Sequence, residues 1–235
     1  LNLNNYSTID FKYNKWDACK LIKNGEKLLL NGHAKDAIEE FLNALKIDSE
    51  SFEASFNLGL AYKSVGSFND AIKIFEKLNQ NWLKDDKVLF ELSDCNEKIG
   101  NLDETIYYLH WSLRIHPNDS KIWNHLASIW SNYGENKNAL QCYIECIKNC
   151  TSDIKPFEWI KKNFFDNNKC QEVIGYIHKA IGSSQINADL LILLGSCYEK
   201  LNQKEKANET YEKAIQIDPS KKNSLINLKK ILNDD

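Results

Sequence analysis

The chain has 235 residues, with 30 Lys and Arg against 33 Asp and Glu, a formal charge of -3 and a pI near 6.0. This near-balance argues against a nucleic-acid footprint, and no run approaches the roughly 18 consecutive apolar residues of a membrane span. Seven cysteines, an odd number without framework spacing, argue against a disulfide-built fold and read as small packing residues of a reducing compartment.

In chain order, residues 1–17 precede any periodic pattern. Tyr6, Ile9, Tyr13 and Trp16 share one helical face, while Ile9, Phe11 and Tyr13 alternate as in a strand. We expect either a short helix or an extended arm that caps the first periodic unit. A start at Leu1 and the absence of Met lead us to expect a fragment or processed product.

From residue 18 a 34-residue motif begins, and it returns at 52, 86, 120, 154 and 188 without insertion or deletion. Each copy reads as two amphipathic helices joined by a tight turn. Position 15 of the motif is Gly32, Gly66, Gly100, Gly134, Asn168 and Asn202, the residues that best tolerate a left-handed backbone after a helix. Position 20 is Ala37, Ala71, Thr105, Ala139, Val173 and Ala207, small where two helices approach closely. Position 24 is a large knob: Phe41, Phe75, Leu109, Tyr143, Ile177 and Tyr211. Position 8 is Gly25, Gly59, Ser93, Ala127, Lys161 and Gly195, small in all but one copy. Period and columns together resemble the tetratricopeptide repeat. That resemblance implies an all-α solenoid, a right-handed superhelix of six hairpins at 18–51, 52–85, 86–119, 120–153, 154–187 and 188–221.

Copies one and two lie near the consensus, although the second has Leu83 where Pro is preferred. The third recovers its stop in His116-Pro117, and the fourth opens with Trp123, Leu126, Ala127 and Trp130. The fifth diverges most, with Lys161 at the small position and Pro156 in the first helical turn, where Pro is tolerated. Beyond residue 221, Leu225, Leu228 and Leu232 repeat the apolar spacing of a first helix, with Lys222, Asn223, Lys229, Lys230 and Asn233 on its outer side. Residues 222–235 are therefore expected to be a C-terminal capping helix.

No catalytic constellation is visible. The pairs Glu39-Glu40, Asp85-Asp86 and Asp234-Asp235 fall on polar faces or at a terminus, and the five His occupy unrelated motif positions. Every recurring Gly is explained by helix ends or helix packing, so no phosphate loop is expected. Cys142, Cys146 and Cys150 share a helical face, but no His or fourth Cys lies nearby to complete a tetrahedral site. We expect no enzyme, cofactor or metal, and look for function in a surface. In arrays of this kind the first helices line a concave groove, through positions 2, 5, 6, 9, 12 and 13. The apolar residues there that we expect to hold a partner protein are Ile22, Phe56, Leu60, Phe90, Trp159, Phe165 and Ile192. Leu29, Leu30 and Leu193 fall at the same class of position, whereas copy four offers the polar set Asn124, His125, Ser128, Ser131 and Asn132. For Leu29 and Leu60, packing between neighbouring first helices explains the residue equally well.

The carboxylate clamp of chaperone-binding tetratricopeptide domains is not matched: Ile22, Glu26, Asn57, Lys87 and Glu91 stand where it needs Lys, Asn, Asn, Lys and Arg. A closer resemblance runs through NGEKLLLNG, ALKIDSESFEASFNLGLAY, KLNQNWLKDDKVLFEL, GENKNALQCYIE and EWIKKNFFDNNKC, over residues 13–215. These segments, with the non-consensus Glu158-Trp159 and Cys170, resemble the C-terminal array of the polaris family, the large tetratricopeptide subunit of intraflagellar transport complex B. The resemblance implies a cytoplasmic and ciliary scaffold that holds other complex B subunits during cilium assembly. The alternative is an adaptor of another assembly, such as a cell-cycle ligase or the substrate arm of a sugar transferase. The asparagine ladder expected of the latter is absent, since Asn57 and Asn124 occupy different motif positions.

Overall fold

A computed structural model describes residues 4–81, 85–149, 153–181, 187–223 and 225–226, with side chains from residue 15 onward. Among these residues the fold is all-α, a succession of antiparallel helical hairpins. The chain forms two compact units, residues 1–115 and 116–235.

The first unit contains α1 (Asn4–Leu30), α2 (Ala34–Ile47), α3 (Phe52–Ser64), α4 (Phe68–Asn81), α5 (Asp86–Ile99) and α6 (Leu102–Ile115). Each helix packs on the next, and α3 also packs on α1 and α5, so the first helices of the hairpins form one wall. α1 runs unbroken from Asn4, so residues 4–17 are helical and continue the first hairpin.

The second unit contains α7 (Ser120–Asn132), α8 (Asn136–Asn149), α9 (Lys155–Ile160), α10 (Cys170–Ile181), α11 (Ala188–Lys200) and α12 (Lys204–Ile217). A π-helical stretch, Lys161–Phe165, extends α9. Here α8 packs not only on α7 and α9 but also on α10 and α11. Asn187 fastens that arrangement: its Nδ2 donates to the carbonyls of Ile147 (2.7 Å) and Lys148 (2.9 Å), while its Oδ1 accepts from the Leu190 amide. One side chain thus satisfies the end of α8 and the start of α11.

The motif columns translate into geometry. Position 15 is left-handed in all six hairpins, with φ of 82°, 79°, 81° and 77° at the four Gly and 57° at Asn168 and Asn202. Positions 20 and 24 are buried in every hairpin. Position 8 is the slot for the knob: a Cβ on Gly25, Gly59 or Gly195 would lie within 2.6 Å of the ring of Phe41, Phe75 or Tyr211. A further column, at position 34, starts the helices. Ser51, Asp85, Asp119, Asp153 and Asn187 each accept a backbone amide from the first turn of the next helix, which offsets the unpaired donors there.

The fifth hairpin shows what happens when the slot is lost. Lys161 cannot bury its ammonium against Ile177, and the backbone widens to an i→i+5 bond, from the Asp166 amide to the Lys161 carbonyl (3.0 Å). Lys161 is left half-buried, and Phe164 and Phe165 both turn inward. Of the segment expected to cap the array, residues 222–223 and 225–226 are helical backbone; the rest of it, with Leu228 and Leu232, lies outside the described residues, as does Leu83.

Candidate interaction surface

The wall of α1, α3 and α5 is held by polar clasps between successive hairpins. Asn57 Nδ2 donates to Glu26 Oε1 at 3.1 Å, joining position 6 of one copy to position 9 of the previous one. Lys63 reaches forward to both Glu91 Oε2 and Asp94 Oδ2 at 2.6 Å. All three of these side chains are at most 26 % exposed. Burial works against the Lys63 charge, but its hydrogen bonds to Asp94 and Glu91 outweigh that penalty and raise its pKa. The second unit repeats the device with a ring. Trp159, at position 6, donates its indole N–H to Ser131 Oγ at 2.6 Å, and its ring lies 4.7 Å from that of Tyr143.

The expected groove residues divide between surface and core. Phe90 is 53 % exposed on α5. Phe56 and Leu60 are half-buried, each with one side against the cluster of Ala71, Phe75, Leu89 and Leu92. The Phe56 ring stacks on Phe52 (5.7 Å, 9°) and tilts against Phe75 (5.6 Å). Leu30, at position 13, is 87 % exposed, so it joins Phe90 among the apolar groups facing water in this unit.

Three expected residues are not on a surface. Ile22 is buried with Ala37, Phe41 and Leu58, in the core between the first hairpin and α3. Phe165 is fully buried, because the π-helical stretch rotates position 12 inward. Ile192 is fully buried, because α11 is apolar all round and α8, α10 and α12 all pack on it. Trp159 is half-buried and spent on the Ser131 clasp.

Five of the thiols are packing groups, whereas Cys19, also expected to be one, is exposed on α1. Cys95, Cys142, Cys146, Cys170 and Cys197 are buried. Burial pushes the Cys95 thiol up to about 11 and the Cys142 thiol up to about 12, and Cys146 Sγ donates to the Ser120 carbonyl at 3.4 Å. Cys150 lies outside the described residues, among which no group of three His, Cys, Asp or Glu could hold a metal ion.

Two segments match family models directly, residues 188–221 a tetratricopeptide repeat and residues 25–66 a TPR repeat. The chain carries tetratricopeptide repeats. No curated protein matches it in sequence. Among solved structures it is similar to MamA, at 19 % identity over 87 % of this chain and 93 % of that one, with a TM-score of 0.53. A tetratricopeptide repeat protein from Parabacteroides merdae superposes with a TM-score of 0.53 at 15 % identity, covering 92 % and 99 %. YrrB, a TPR protein with an unusual peptide-binding site, gives 0.51 at 20 %, covering 95 % and 97 %. At such identities the likeness establishes the tetratricopeptide fold. Among the described residues no helix is long and apolar enough to cross a membrane.

Proposed function

We propose that this chain is a non-catalytic scaffold whose α1, α3 and α5 wall holds a segment of a partner protein, with Phe90 as the anchor. The observation that carries the reading is the exposure of Phe90, 53 % open beside the Lys63, Glu91 and Asp94 clasp. An exposed ring beside polar groups that are already paired with one another is a fixed apolar contact point. The open sides of Phe56 and Leu60, on the neighbouring α3, extend it. Tetratricopeptide repeats generally serve as protein-interaction scaffolds, which supports the same class of function.

Within that class we place the chain as a subunit of an intraflagellar transport complex, in the cytoplasm and cilium. The support is the resemblance of residues 13–215 to the polaris array, including the non-consensus Glu158, Trp159 and Cys170. The test is affinity purification of the tagged chain from ciliated cells, beside a Phe90→Ser variant. Recovery of complex B subunits with the parent chain, and their loss with the variant, is the expected result. Recovery of a different assembly through the same wall would keep the scaffold and remove the ciliary assignment.

A further inference from the structure

In the second unit the fifth and sixth hairpins bring two thiols together. Cys170 is the first residue of α10, and Cys197 lies near the end of α11. These helices pack on each other, and both side chains are at most 1 % exposed. Within that contact the Cys197 thiol donates a hydrogen bond to the Cys170 sulfur. The two residues stand at motif position 17 of one copy and position 10 of the next. In the first unit the same two positions hold Phe68 and Cys95, and Phe68 packs against the cluster that contains Cys95. Cys95 thus has a ring ahead of it, whereas Cys197 has a second thiol.

The two sulfurs are not equivalent. The hydrogen bond from Cys197 holds the Cys170 thiol below the usual thiol range against the opposing effect of burial. The Lys200 charge and the Cys170 amide add to that lowering. Burial above all, and then the same hydrogen bond, push the Cys197 thiol up. Cys170 therefore ionises first, and the thiolate is the reactive form of a cysteine. It also heads its helix directly after the exposed turn 166–169, and helix ends open locally at little cost.

We propose that Cys170 and Cys197 form a reversible disulfide between α10 and α11 when the chain meets hydrogen peroxide. The Cys170 thiolate attacks one peroxide oxygen and the O–O bond breaks, which leaves Cys170 as a sulfenic acid. The departing hydroxide takes a proton from solution and becomes water. The Cys197 sulfur then attacks the Cys170 sulfur and displaces a second hydroxide, which leaves as water with the Cys197 proton. Two thiols give up two electrons, and one peroxide is reduced to two waters. The new bond, about 2.05 Å long, replaces the hydrogen bond and staples the fifth hairpin to the sixth. The step is independent of what the wall of the first unit binds.

The experiment treats the full, folded chain with hydrogen peroxide, alkylates the remaining thiols in denaturant and maps cross-links by peptide mass spectrometry. A Cys170–Cys197 disulfide that dithiothreitol reverses is expected, with a rise in melting temperature. In Cys197→Ala the sulfenic acid has no resolving thiol, so dimedone labelling of Cys170 should rise at least tenfold over the parent chain. Should that variant not fold, the cross-link map of the parent chain decides alone. Oxidation of the exposed Cys19 while Cys170 and Cys197 remain thiols would overturn the proposal. Cross-links that join either residue to a different cysteine would overturn it as well.

Discussion

Phe75 occupies the space that a side chain on Gly59 would need: a Cβ there would sit 2.6 Å from the ring. The two residues lie on opposite helices of one hairpin and set how closely those helices approach. Gly59→Ala should therefore destabilise the first unit by about 1–3 kcal/mol in chemical denaturation. Phe75→Leu in the same chain should recover part of that loss, because the third hairpin already pairs Ser93 with Leu109. Simple additivity of the two substitutions would contradict the slot-and-knob account.

The hairpin turns make a graded prediction. Asn202 holds φ 57° where four other copies place Gly. Asn202→Gly should be neutral or slightly stabilising, whereas Asn202→Val should cost about 1–2 kcal/mol through left-handed strain. Thermal melts of the two variants check the order.

These columns are legible in the sequence because the backbone demands them independently of what surrounds the hairpin. The groove is less legible. Position 5 reads as facing a partner, but Ile22 is drawn into the core and Phe56 onto Phe75, which leaves Phe90 as the open member. Ile192 is beyond any repeat argument, since its burial depends on α8 reaching α11 past an intervening hairpin. Lys161 does announce irregularity, yet nothing in the sequence says that the relief is a π-helical turn that buries Phe165. The position-34 caps are open to sequence reasoning, as a column of Ser, Asp and Asn just ahead of each helix.

Asp189 and Lys221 form an ion pair at 3.0 Å, with side chains 2 % and 12 % exposed. Burial raises the Asp189 pKa, and Lys221 opposes that rise through its hydrogen bond and charge. Lys221→Met removes the opposition and leaves a buried carboxylate, so the second unit should lose about 3–5 kcal/mol near neutral pH. A carboxyl with a raised folded pKa binds its proton more tightly in the folded state. Stability is therefore lost as pH rises through that pKa and regained as pH falls. The deficit of the variant should shrink toward about pH 4, as urea melts across that range would record.

The Lys63 clasp has the opposite practical window. Its folded pKa is raised above the ordinary lysine value of 10.5, so its contribution is complete below that value and fades as pH rises through the folded one. Lys63→Met should lower stability at neutral pH, and the difference from the parent chain should close at strongly alkaline pH. A constant difference would mean that the lysine acts through its aliphatic stem alone.

The most direct test of the scaffold account is a calorimetric titration of a purified partner with three proteins: the parent chain, Phe90→Ser and Tyr107→Ser. Tyr107 is 55 % exposed on α6, a second helix, and so matches Phe90 in exposure but not in place. Phe90→Ser should weaken binding at least tenfold, about 1.4 kcal/mol, with little change in melting temperature, and Tyr107→Ser should bind as the parent does. Full affinity in Phe90→Ser together with loss in Tyr107→Ser would contradict the account and move recognition to the second helices.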